Sequence, residues 1–144
     1  MDYKILKEYE VNLMLLMDLL GSNSTNNEQL LTIGKALFDK RFKGVYSSDT
    51  MPVLKNNELC IVNTDDSSKP GMHWIALYKY KNKTYFYDSY YRKAKSLSKF
   101  FDKKWVNANK DRDQSYSGES NCGQRSMCWL ISFDKYKTKV INVI

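Results

Sequence analysis

Histidine is almost missing from this 144-residue chain: there is one, His73. Cysteine is scarce too, with three residues at positions 60, 122 and 128 and no Cys-x-x-Cys. A structural zinc site is therefore short of ligands at any usual spacing, and no paired disulfide framework can form. The thiols are expected to be reduced, in a cytosolic or nuclear compartment and not secreted. Long apolar runs are lacking as well. The opening "DYKILKEYEVNLMLLMDLL" starts with mixed charges and is interrupted by Asp18, so neither a secretory signal nor a membrane span is read there. Arginine-rich tracts, internal repeats, low-complexity segments and domain linkers are all absent, which leaves one domain over 1–144 as the simplest organisation.

Apolar residues make up 42% and aromatics 14% of the chain, a globular composition able to bury a core without staples. Eleven tyrosines favour strands over a plain helix bundle. The formal charge of +7 and pI of about 9.2 fit either an anionic partner such as DNA or plain solubility, since the lysines are scattered.

Apolar spacing predicts an amphipathic helix over 4–20, ended at Gly21, free either to pack on the core or to swap with a partner. A second helix is predicted over "EQLLTIGKALF", capped by Asn26 or Asn27. "KGVYSSDTMP" reads as loop and "ELCIVNTD" as a buried strand. "MHWIALYKYKNKTYFYDSYY" reads as a hairpin. Beyond it, one helix is expected in "KAKSLSKFFDK", a short strand in "KWVNAN", a helix at about 122–133 and an edge strand in "TKVINVI".

One constellation carries chemistry. A hairpin loop over Lys79–Asn82 would pair position 78 with 83 and place His73 directly opposite Asp88, with Cβ atoms ~5 Å apart. Ser120 or Asn121 would cap the later helix and leave Cys122 in its first turn. There the helix dipole and a neighbouring imidazolium both lower a thiol pKa. Orphan N–H groups at that helix start, including the Cys122 backbone, and the Gln114 amide would stabilise an oxyanion, and Gly123 would allow close approach of a substrate. Each residue also has a plain role: a packed small thiol, a satisfied histidine, turn chemistry for Asp88, a loop amide for Gln114. Spacing alone leaves both readings open.

"IVNTDDSSKPGMHWIALY", then "YFYDSYY" and "ESNCGQRSMCWLISF", with the lead-in "GVYSSDTMP", resemble the adenovirus-type maturation cysteine proteases. The nearest likeness is to the forms encoded by virophages and Maverick/Polinton transposons. The resemblance covers roughly residues 44–133. It implies an α+β, circularly rearranged papain-like fold: a mixed central sheet flanked by helices, with the nucleophile at the N-terminus of a buried helix. By the same resemblance His73 is the general base, Asp88 orients it, Cys122 is the nucleophile, Gln114 serves the oxyanion hole and Trp74 lines the substrate cleft. In relatives the oxyanion glutamine stands one residue nearer the cysteine than Gln114 does. The resemblance further implies cleavage of capsid or virion precursors beside small residues such as glycine, in the virion and in the cytoplasm or nucleus of the infected cell. No metal or other cofactor and no membrane are called for. The adenovirus enzyme's activation by a peptide and by DNA raises the same expectation here, although no residue maps onto such a site.

Three rivals remain at this stage. A SUMO- or ubiquitin-like isopeptidase shares the fold and the order His, Asp, Cys. "GESNC" nearly spells the Gly-x-Ser-x-Gly elbow of a serine hydrolase, but its last position is Cys122. A basic nucleic-acid-binding domain would make the same three side chains structural.

Overall fold

The computed structural model describes residues 1–69, 73–114 and 120–144. Two helices lead: α1 (Asp2–Leu20) and α2 (Asn27–Phe38). Asn26 caps α2 through a reciprocal box in which its side chain accepts from Gln29 N while the Gln29 side chain accepts from Asn26 N, both at 2.9 Å. A five-stranded sheet follows in the order β1 (Phe42–Tyr46), β2 (Leu59–Asn63), β3 (Trp74–Tyr80), β4 (Lys83–Tyr87), β5 (Val106–Asn107). The outer pairs β1–β2 and β4–β5 are parallel and the inner pairs antiparallel, so the sheet is mixed. One turn of helix, α3 (Ala94–Leu97), lies between β4 and β5, and α4 (Cys122–Tyr136) comes last.

The sheet separates two apolar layers. Along β3, Ala76 and Tyr78 face a core built with Met127, Trp129, Leu130 and Phe133 of α4 and Ile5, Tyr9 and Leu16 of α1. Ile75 and Leu77 face a smaller cluster containing Cys60, Phe86, Ala94 and Phe101. Such alternation follows from the two-residue period of a strand buried on both faces. Phe133 has no solvent exposure and contacts the rings of Tyr78, Tyr85 and Trp129 at centroid distances of 4.9, 5.1 and 4.8 Å. Its truncation to alanine is worth about 3–5 kcal/mol by the usual cost of core phenylalanines.

Four sequence expectations are corrected here. Phe42–Tyr46 is a strand, not loop: Gly44, at φ 130°, sits at a register irregularity between Phe42 and Val45, and such a bulge hides the alternating pattern. The helix predicted across 93–103 stops at Leu97, because Ser98 is extended and its hydroxyl accepts from Phe100 N. The C-terminal segment is no edge strand. Lys137, at φ 54°, ends α4, and Lys137–Val140 form a 3₁₀ turn that buries Val140 and Ile144, two positions four apart.

The fourth correction is the hairpin register. Tyr80 pairs with Lys83, and Lys81 and Asn82 both have positive φ (49° and 66°), the mark of a two-residue turn matched to strand twist. Continued outward, this register sets His73 opposite Tyr90, with Asp88 on the diagonal. A slip of two residues preserves the face, so the two side chains can still meet.

Candidate active site

Three elements converge at one end of the sheet. His73 directly precedes β3, Asp88 directly follows β4, and Cys122 is the first residue of α4. All three are buried, Asp88 completely. Helix α4 packs across β3, and Ser126 Oγ donates to Trp74 O at 3.2 Å one turn beyond the thiol, which fixes the helix start against the strand start. Asn121 occupies the N-cap position without a side-chain cap; its Oδ1 instead accepts from Arg125 Nε at 3.1 Å. The predicted side-chain cap from Asn121 is therefore not made, and the first N–H groups of α4 are not claimed by it.

His73 Nε2 lies 2.5 Å from Asp88 Oδ1, and the imidazole and the Cys122 thiol are near enough for each to shift the other's pKa. Trp74 N also donates to Cys122 Sγ, at 3.5 Å. Asp88 is held from several sides. Asn109 Oδ1 accepts from Asp88 N at 3.1 Å and Asn109 Nδ2 donates to Asp88 O at 2.7 Å. Arg92 donates to the carboxylate from its backbone N and from its guanidinium.

The electrostatics follow from these contacts. Burial pushes the Asp88 carboxyl up, but its bonds to His73 and Arg92 outweigh this and hold it at about 2. Burial disfavours a charged His73, yet its bonds to Asp88 and Cys122 prevail and raise its pKa. Burial would also raise the Cys122 thiol. Its bond to the imidazole, the imidazole's charge, and the N–H groups of Trp74 and Gly123 together lower it instead. Burial pushes the Cys60 thiol well up, and Cys128 likewise in spite of the Arg125 charge. Of three buried thiols, Cys122 is the one whose pKa is lowered.

Trp74 stands beside the thiol as one wall of a cleft of about 290 Å³, shared with Ser47, Thr50, Asn63 and Asp65. Its indole Nε1 donates to Thr25 O at 3.2 Å, and Gln124 Nε2 donates to Gly21 O and Asn23 O, both at 2.7 Å. The α1–α2 loop is thereby pinned to the site. Gly123 serves that packing: a Cβ there would come within 2.0 Å of Thr25 Oγ1, so only a residue without a side chain lets the loop sit this close to α4. Gln114 is buried beside the residues that follow Asp88. Its Oε1 accepts from Ser89 Oγ at 2.6 Å, and its Nε2 donates to Tyr90 Oη at 3.0 Å. Residues 70–72, and Gly118 and Glu119 of the elbow-like stretch, lie outside the described residues. Arg92, Asn109 and Tyr90 were not singled out from sequence. The only signal was an arginine four residues after Asp88, at a strand end.

A thiol at a helix start, bonded to an imidazole that a carboxylate holds, is the arrangement of a cysteine protease, and the mixed sheet with its flanking helices is compatible with a papain-like fold. The adenovirus endoprotease family matches residues 34–144, and the chain belongs to that family. It is a cysteine endopeptidase, a hydrolase of viral type. No curated protein gives a significant match. Among the described residues no helix is long and apolar enough to cross a membrane, and no three of His, Cys, Asp and Glu gather where they could hold a metal ion.

Proposed function

We propose that this endopeptidase matures virions by cutting capsid or other virion precursor proteins beside small residues such as glycine, with Cys122 as nucleophile, His73 as acid and base, and Asp88 orienting the imidazole. The observation that carries the reading is the grouping of Asp88, bonded to the His73 ring, with Cys122 at the start of α4, in which the thiol pKa is lowered and the imidazole pKa raised. Both shifts favour the thiolate–imidazolium form of the pair. We read the architecture as the circularly rearranged papain-like fold, and the site of action as the virion and the infected cell.

In this mechanism the Cys122 thiolate adds to the scissile carbonyl carbon and the carbonyl oxygen takes the negative charge. The Cys122 backbone N–H and the Gln114 amide stabilise that oxyanion. The C–N bond breaks as the imidazolium gives its proton to the departing amine. His73, now neutral, takes a proton from water, whose oxygen attacks the thioester and releases the acid and the thiol. The chemistry calls on no metal or organic cofactor. Trp74 roofs the bond being cut, and a narrow wall there favours small side chains. Charge of +7 supports activation by DNA, and family membership supports activation by a peptide.

The test is a comparison of substrates: an extended precursor-derived segment containing glycines, and the same glycines at the tail of a folded ubiquitin-like protein, each with and without DNA. Cleavage of the extended segment, abolished by iodoacetamide, is the expected result. Cleavage of the folded fusion alone would replace the maturation reading with an isopeptidase.

A further inference from the structure

The carboxylate that faces His73 has a second cation on it. Arg92 brings three N–H groups to Asp88: its backbone N to Oδ2 at 3.0 Å, Nε to Oδ2 at 2.9 Å and Nη2 to Oδ1 at 3.3 Å. Oδ1 is thus shared between the guanidinium, the His73 ring at 2.5 Å and Tyr90 N at 3.3 Å. The backbone is shaped for this contact. Tyr91 has φ 58°, and its N–H returns to Asp88 O at 2.8 Å, which curls the chain so that residue 92 meets residue 88. Arg92 O accepts from Asn107 Nδ2 at 3.1 Å, tying the curl to β5. The guanidinium also lies 5.0 Å from the Tyr90 ring centroid, and that ring stacks on His73 at 5.1 Å and 27°. Arg92 therefore touches both partners of the imidazole, its carboxylate and its stacking ring, without touching the thiol.

A carboxylate serving an imidazole alone would lend it a full negative charge and hold its proton tightly. A fork-shaped cation on the same oxygens fixes the plane of the carboxylate and shares its charge. We propose that Arg92 is a positioning residue of the catalytic site, orienting Asp88 toward His73 Nε2 and setting the pH window in which the Cys122–His73 ion pair works. The charged and titratable groups around that carboxylate are few. His73 faces it from the start of β3 with Cys122 of α4 behind the ring, and Tyr90 and Arg92 face it from the curl. Asn109, beyond β5, is neutral and holds the main chain of Asp88, while the Asp113 carboxylate accepts from Tyr87 Oη at 2.7 Å. Arg125 of α4 is a second fixed cation near the helix start, where its Nε donates to Asn121 Oδ1 at 3.1 Å, but Arg92 is the fixed cation bonded to the Asp88 carboxylate itself. A fixed cation favours the thiolate and disfavours the imidazolium, so its loss moves both titrations upward together.

The inference rests on the assignment of Cys122 and His73 as the reacting pair, and its test keeps the two apart. The experiment is kcat/KM against pH, with the pH dependence of Cys122 alkylation by iodoacetamide, in wild type, Arg92→Met and Arg92→Lys. In R92M both limbs of the bell are expected to rise by about half to one pH unit, and kcat to fall about tenfold from misplacement. R92K should return both limbs to wild-type positions while leaving kcat low, because a point charge replaces the cation but not the fork. Limbs unmoved in R92M, or moved equally in R92M and R92K, would overturn the proposal. Should R92M fail to fold, Arg92→Gln, which keeps a donor but no charge, gives the same readout. A wild-type Cys122 that titrates as an ordinary thiol would instead overturn the reacting pair itself.

Discussion

Both ends of α4 gather charge around a carboxylate, buried at the near end and half-buried at the far end, and they use it differently. At the far end Asp134 accepts from Arg41 Nη1 and Nη2 at 2.6 and 2.8 Å and from Tyr78 Oη at 2.6 Å, with Lys137 Nζ 3.6 Å away. At the near end Asp88 accepts from Arg92 and from His73 beside Cys122. Each carboxyl is pushed up by burial and brought down by its hydrogen bonds to about 2. The carboxylates are matched; what lies beyond them is not. Asp134 meets groups that stay protonated at neutral pH, so its cluster is a clasp between the turn before β1, the middle of β3 and the end of α4. Asp88 meets an imidazole, and the imidazole meets a thiol. The same electrostatics that lock one end can serve proton transfer at the other because an imidazole, able both to take and to give a proton, has been inserted.

The contrast is broken most completely at the near end. Cys122→Ala is expected to remove about 10⁴-fold or more of the activity while leaving Tm within a few degrees of wild type, since a small residue at a helix start fits the space. His73→Ala should cost about 10²–10⁴-fold through the lost acid and base. Asp88→Asn should cost less than His73→Ala, because Arg92, Asn109 and Tyr90 still hold the segment. Steady-state kinetics on the three variants check that order, and a loss in Asp88→Asn equal to or greater than in His73→Ala would give Asp88 another role.

At the far end the effect moves to stability. Asp134→Asn should destabilise the fold by about 1–3 kcal/mol and leave kcat per folded molecule unchanged, as urea melts and active-site titration will show. Its pH dependence sharpens the point. A carboxyl at about 2 when folded and near 3.9 when unfolded contributes stability above pH ~4 that is lost as pH falls toward 2. The acid limb of stability should therefore be shallower in D134N than in wild type. An unchanged acid limb would mean that the cluster contributes nothing to folding.

The near end was more legible in the sequence than the far end, and for physical reasons. A lone histidine, an Asp-Ser after an aromatic strand and a cysteine before a helical apolar run are unusual residue types in definite places, and the structure brings them together. The register that pairs His73 with Asp88 differs by two residues from the one observed, since Lys81 and Asn82 make a tighter turn than a four-residue loop. The side chains meet because a two-residue slip keeps the strand face. Arg92 and Asn109 escaped notice because their contacts depend on the curl at Tyr91, which no hydrophobic period encodes. The packing of Gly123 had no local signal either, because Thr25, almost a hundred residues away in sequence, fills the space where a side chain would stand. Asp134, Arg41 and Tyr78 come from three separate segments, and a pairing of that kind has no local pattern.

The account's central claim is that Cys122 is charged by His73. The most direct measurement is the rate of Cys122 alkylation against pH in wild type and His73→Ala. A thiol titrating well below ~8.5 in wild type, and rising toward that value in the variant, is the predicted result. A Cys122 that titrates as an ordinary thiol in both proteins would contradict it.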